Sequence, residues 1–259
     1  RQMCIRDSIQ RGDIYEANFC QEFYANGQIN PLHIFKQLQF LSTPPFAVFF
    51  KNNFHFLMSA SPERYLKKQG NLLISQPIKG TAKRSSDAAV DLRLKNTLFA
   101  DPKERSENVM IVDLVRNDLS RIANKGSVEV EELSAVYSFK QVHHLISTIR
   151  AELDSKLSAV DAICASYPMG SMTGAPKIES MNIIDEFEST KRGLYSGSVG
   201  YINPEMDFDF NVVIRSILYS SSNKMLTVNV GSAITHKSIA EKEYEECLVK
   251  AEPMIQSLK

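Results

Sequence analysis

Lys79 sits in the run Gln76-Pro77-Ile78-Lys79-Gly80-Thr81, directly after an alternating stretch, 71–75, that reads as a strand. The flanking proline and glycine predict a turn at the strand end. An amine held there, in a chain with no other evident nucleophile, suits covalent or acid–base work. Residue type alone favours a solvated loop lysine. Two carboxylate patterns bear on the same question. Glu107, Ile111, Leu114, Val115, Asp118 and Ile122 fall on one largely apolar helical face. A buried carboxylate there needs a cation, hydrogen bonds or a proton, because leaving it unpaired costs several kcal/mol. The alternative is that Glu107 ends the stripe and reaches water. Near the C-terminus, Ile239, Glu243, Glu246 and Lys250 share a second face. A surface ion-pair ladder is the simpler reading of that set; an inward charge cluster is the other.

Four further signals are weaker singly. The run from Gly170 to Lys177 is a glycine-bearing turn feeding a helix, a natural anion seat. It fails as a nucleotide loop, since proline precedes Lys177 where glycine is needed and no Ser or Thr follows. Gly231-Ser232-Ala233 ends a strand with small residues, leaving room for a ligand against the backbone. Arg215, amid apolar residues of a strand expected over 211–219, is an edge residue or a carboxylate clamp. His143 and His144 lie in a strand-like run, where a satisfied core histidine is the common outcome.

These residues need elements to hold them. Strand-like runs cover 46–50, 54–59 and 72–77, and again 198–202, 208–219 and 225–230. Helices are expected over 87–123, with a cap at Asp101-Pro102, near 158–165 and 176–187, and from Ser238 onward. Ser238-x-x-Glu241 reads as a capping box. Strands at both ends around a helical middle predict an α+β fold, the two strand-rich halves sharing one core. Residues 1–8 show no clear periodicity and receive no structural assignment.

The bulk properties narrow the partners. Thirty basic and thirty acidic side chains cancel, and no basic run is interleaved with aromatics, so nucleic acid is not the expected partner. The hydrophobic share of 43% is ordinary for a globular chain of 259 residues. Cys4, Cys20, Cys164 and Cys247 are widely spaced, which suits free thiols in a reducing cytoplasm. No run is long and apolar enough to span a bilayer, and no signal peptide is evident.

Taken together, five segments resemble the chorismate-utilising enzymes: 61–63 (SPE), 77–81 (PIKGT), 107–119 (ENVMIVDLVRNDL), 170–177 and 243–246 (EYEE). Their order and spacing carry the resemblance, which runs from about Gly12 to the C-terminus. Lysine in the Pro-Ile-x-Gly-Thr position is similar to the branch that aminates chorismate at C4, component I of aminodeoxychorismate synthase; anthranilate synthases typically carry alanine there. The resemblance implies two large, stacked, mostly antiparallel sheets with helices outside. It also implies one chorismate-binding catalytic domain over 9–259, lacking the N-terminal segment of larger members. The substrates implied are chorismate and ammonia, the latter from a separate glutamine amidotransferase subunit. Mg²⁺ is the implied cofactor, held by Glu107 and Glu246. The resemblance further implies Glu63 as general acid, Lys79 as nucleophile at C2 and His144 as a positioning group. Thr81, Thr173, Tyr201, Arg215, Gly231, Ser232 and Lys250 are the implied substrate contacts. Anthranilate and isochorismate or salicylate synthases are the alternatives, and a non-catalytic binding subunit is a more distant one. Two positions depart from the pattern: Ala233 stands where many members have glycine, and Glu16 where relatives have glutamine or lysine.

Overall fold

Residues 2–140 and 142–259 are described in a computed structural model, and they form an α+β structure. Two compact units emerge, and the chain passes between them four times. The first unit comprises the chain up to Pro62, Met172–Val199 and Asn211–Lys259; the second comprises Glu63–Ser171 and Gly200–Phe210. Each draws strands from both strand-rich halves of the sequence.

In chain order, the first unit opens with α1 (Gln2–Arg11), β1 (Glu16–Asn26), α2 (Pro31–Ser42), β2 (Phe46–Asn52) and β3 (His55–Ser61). The second unit then contributes β4 (Arg64–Gln69), β5 (Leu72–Gln76), β6 (Ile78–Lys83), α3 (Ala88–Ala100) and α4 (Pro102–Ser120). It continues with β7 (Glu129–Ser138), β8 (Val142–Glu152) and α5 (Ala159–Ser166). Two elements, β9 (Gly174–Ala175) and α6 (Lys177–Phe187), return to the first unit. After β10 (Gly200–Ile202) and β11 (Phe208–Asn211) of the second sheet, the chain ends with β12 (Ser216–Ser220), β13 (Met225–Ile234) and α7 (Ala240–Ser257).

The first unit holds a six-stranded sheet in the order β2-β3-β12-β13-β1-β9. Every pairing recorded in it is antiparallel. Along β13, Leu226, Val228 and Val230 join the core beneath α2 and α7, and Ile234 joins a second cluster with Ile5, Ile183 and Ile184. All four β13 residues are even-numbered, so the period-2 pleat puts α1, α2, α6 and α7 on one face of the sheet. Residues 1–8 are thus corrected: Gln2–Arg11 is helical, and Ile5 is fully buried in that cluster. Ile5 and, one turn later, the partly buried Ile9 anchor the helix, and two apolar residues are too few for a visible periodic pattern.

The second unit holds a seven-stranded sheet, β10-β11-β4-β5-β8-β6, with β7 also on β8. Strands β5 and β6 run end to end along β8, separated only by Pro77. Because residues 143–146 pair with both β6 and β7, those two strands lie on opposite edges of β8. The helices start where side-chain acceptors meet orphan N–H groups. Asp87 Oδ1 caps α3, Asp101 Oδ1 accepts from Lys103 N (2.8 Å) and Glu104 N (3.2 Å), and Ser158 with Asp161 forms a capping box at α5. The capping box expected at Ser238 does not form. Ser238 Oγ is occupied with Thr235 N and Ala233 O, and α7 begins after Ile239 without a side-chain cap.

Candidate active site

In the second unit the candidates converge on β6, β8 and α4. Lys79 lies inside a strand rather than in a turn, which corrects the sequence expectation. The strand is broken at Lys79: Lys79 pairs with Leu145 and Thr81 with His144, so Gly80 is an inserted bulge residue. Gly80 has φ +82°, and a Cβ there would come within 3.0 Å of Glu104 Oε2 and 3.3 Å of Leu145 Cβ. Only glycine meets both demands. The bulge sets Lys79, half-buried, and Thr81, exposed, against successive residues of β8. Thr81 Oγ1 lies 3.0 Å from His144 Nδ1, and His144 packs edge-on against Phe139 with centroids 5.5 Å apart. His143, beside it, is the satisfied core histidine: Asp91 Oδ1 lies 3.1 Å from Nε2 and Ser138 Oγ 2.9 Å from Nδ1. Arg84 binds Asp91 through two nitrogens and holds that carboxyl well below the usual carboxylate range.

Glu107 is on the buried stripe of α4, as its spacing predicts, with Ile111, Val115 and Asp118 buried along the helix and Ile122 buried just past its end. Its Oε1 lies 3.7 Å from Lys103 Nζ one turn earlier. Glu63 is buried directly before β4, and Tyr201 on β10 is 66% exposed.

The first unit gathers the other carboxylate group around the end of β13. Ser232 is buried on the face that α7 covers. Its hydroxyl donates to Glu243 and, at 3.4 Å, to Glu246 Oε2. Lys250 Nζ donates to Gly231 O at 2.9 Å and pairs with Glu246 one turn back. Spacing alone grouped Glu246 with Glu243; the packing separates them. Glu243, Cys247, Ala251 and Met254 form the buried stripe of α7, whereas the Glu246 side chain is 45% exposed. The set is thus both a surface pair and an inward carboxylate. Thr173 is buried, and its carbonyl accepts from Asn18 N at 2.7 Å. Gly174 beside it has φ +150°, and a Cβ would meet Glu16 O at 2.1 Å, so this glycine permits the close approach of β1 and β9. Arg215 is corrected: β11 ends at Asn211 and β12 begins at Ser216, leaving Arg215 between them at φ +51°. Its carbonyl accepts from Ala60 N at 3.1 Å.

Two polar groups, one partly and one fully buried, escaped the sequence reading. Arg192 ties together distant segments of the first unit. It donates to Met172 O (2.6 Å), Asn18 O (2.7 Å) and both carboxylate oxygens of Glu188, which also accepts from Cys20 N. Glu188 ends α6 and Arg192 lies in the following loop, so helical spacing carried no signal. Asn108, the neighbour of Glu107, is fully buried between Ser134 and Ser147. Its polarity beside apolar positions was the available clue.

The chain also has relatives of known sequence and structure. The family model described as chorismate binding enzyme matches residues 3–256. Aminodeoxychorismate synthase component 1 of Bacillus subtilis (strain 168) is 37% identical over 254 residues, covering 98% of this chain and 54% of the relative. An anthranilate synthase component I-like protein of Synechocystis sp. is also 37% identical, over 96% of this chain and 52% of its own length. The crystal structure of anthranilate synthase component I from Streptococcus pneumoniae TIGR4 superposes with a TM-score of 0.88 at 34% identity, over 98% of this chain and 56% of that one. The chain spans about half the length of the curated relatives it matches. With a family model matched along nearly its whole length, the chain belongs to the chorismate-binding enzymes.

Proposed function

We propose that the chain is the catalytic part of an enzyme that aminates chorismate at C4 to 4-amino-4-deoxychorismate, using ammonia from a glutamine amidotransferase partner. The observation that carries this reading is Lys79 beside the β6 bulge, two residues before the Thr81 that hydrogen-bonds His144. An amine at that place lets one difficult substitution be split into two easier displacements. In the first, Lys79 Nζ forms a bond to C2, the ring double bonds shift, and the C4 hydroxyl departs as water with a proton from Glu63. In the second, ammonia bonds to C4, the double bonds shift back, and the C2–Nζ bond breaks with its electron pair returning to Lys79. His144, fixed through Thr81, orients the ring.

The donors fit Mg²⁺. Glu107 and Glu246 supply hard carboxylate oxygens. Mg²⁺ is usually held by one or two carboxylates, with substrate and water completing its shell. When bound, the ion would neutralise a substrate carboxylate. Ser232 and Lys250 hold the Glu246 carboxylate in place, and Arg215 and Thr173 supply donors for substrate oxygens.

Chromatography of products after incubation with chorismate, Mg²⁺ and ammonium tests the reading. The aminodeoxychorismate peak is expected. Anthranilate in its place would assign the chain to the other branch, which stands at the same 37% identity through the Synechocystis relative.

A further inference from the structure

Beside Glu107, the buried face of α4 carries a polar side chain that the proposed chemistry leaves unused. Asn108 is fully buried. Its Oδ1 accepts from Ser134 Oγ at 2.9 Å and from Ser147 Oγ at 2.5 Å. Ser147 Oγ in turn accepts from the backbone N–H of Ser134 at 2.8 Å. Ser134 has φ +54° and lies where the β7–β8 register shifts between Glu132 and Ala135. A non-glycine residue holds that conformation only where its surroundings impose it, and this triangle of hydrogen bonds does so. Asn108 Nδ2, by contrast, has no hydrogen-bond partner among the described residues. Leaving a buried donor unsatisfied costs stability, and an apolar side chain of similar size would avoid that cost.

The rest of the α4 face explains what the amide contributes. Ile111, Val112, Val115 and Leu119 are buried by non-directional packing, which resists sliding or rotation of a helix only weakly. A hydrogen-bonded carbonyl is directional. One residue of helix corresponds to about 100° of rotation and roughly 1.5 Å of rise, so small movements of α4 displace the adjacent carboxylate substantially.

We propose that Asn108 is a positioning residue: held by Ser134 and Ser147, its carbonyl sets the rotation and height of α4 and so aims the Glu107 carboxylate at a divalent cation. The inference rests on the reading of Glu107 as a metal ligand. The test is Mn²⁺ binding followed by electron paramagnetic resonance with chorismate present, paired with thermal unfolding of the same samples. Parent, Glu107→Gln, Asn108→Leu, Ser147→Ala and the Asn108→Leu/Ser147→Ala double variant are compared. Glu107→Gln loses binding. Asn108→Leu fills the space without the hydrogen bonds and weakens Mn²⁺ about tenfold or more. Ser147→Ala weakens it less, because Ser134 still bonds the carbonyl, and the double variant matches Asn108→Leu alone. If Asn108→Leu does not fold, Ser147→Ala carries the same test through its smaller shift. Unchanged Mn²⁺ affinity in the folded variants overturns the inference and leaves Glu107 standing. A parent that binds no Mn²⁺, or a Glu107→Gln variant that binds like the parent, overturns the metal-ligand reading and the inference together.

Discussion

Lys79 and Glu107 are where the chemistry is most exposed to test. Removing the amine while keeping the strand isolates its role: Lys79→Ala should abolish detectable C4 amination. Chorismate affinity should stay within about 1.4 kcal/mol, a tenfold change in Kd, because the contacts proposed for the substrate carboxylates are other groups. Fluorescence or calorimetric titration with chorismate beside the product assay separates the two, and full turnover in the variant would remove Lys79 from the mechanism. Sequence spacing alone correctly put Glu107 on a buried stripe, since 3.6-residue periodicity reports which face of a helix meets the core. The same periodicity could not separate Glu243 from Glu246. Three residues apart, they share a helical face, and only the packing of α7 against β13 buries one and exposes the other.

At the scale of elements, the bulge between β6 and β8 carries a cost that a single methyl would reveal. Gly80→Ala forces a side chain into φ +82° and against Glu104 and Leu98. A loss of about 1–3 kcal/mol is expected in urea unfolding, with turnover falling further because Lys79 and Thr81 lose their register. Wild-type stability in this variant would mean that the bulge is not strained in the way its geometry indicates. The α4 cap offers a milder comparison: Asp101→Ala should cost about 1 kcal/mol with activity retained. A larger effect is expected at the Arg192 clamp, where the ion-paired side chains are 16% and 7% exposed. Arg192→Ala leaves Glu188 buried without its cation, and about 3–5 kcal/mol should be lost in the same measurement. A loss under about 1 kcal/mol would show the pair to be solvated.

Across the whole molecule, burial sorts the four thiols. Cys4 and Cys164 are exposed, whereas Cys20 and Cys247 are buried, and none is in a disulfide. Burial pushes the Cys20 thiol from 9.0 up to about 12, Glu188 and Cys247 adding to the rise while Arg192 and Tyr195 oppose it. At pH 8 its thiolate is about one part in ten thousand, so a thiol reagent should titrate two groups in the native chain and four after denaturation. The sign for stability follows from proton linkage. The folded state keeps a proton that the unfolded state releases above about pH 9, so this contribution is intact below that value and is lost as pH rises toward 12. A Cys20→Ser variant should flatten that alkaline decline in a pH series of urea midpoints. No helix among the described residues is long and apolar enough to cross a membrane.

Local rules determined much of this protein from the chain alone. Alternating runs gave strands, the Asp101-Pro102 cap marked the start of α4, and the five spaced segments pointed to the family, because each depends on near neighbours in sequence. Tertiary structure decided the rest. Whether Lys79 sits in a turn or on a bulge depends on its pairing with β8, more than sixty residues on. Whether residues 2–11 fold depends on Ile5 reaching a cluster built from α6 and β13. Ser238 abandons its helix cap for acceptors and donors at the end of β13. In each case several partners compete for one group, and the winner is set by burial and directional hydrogen bonds between residues far apart in sequence.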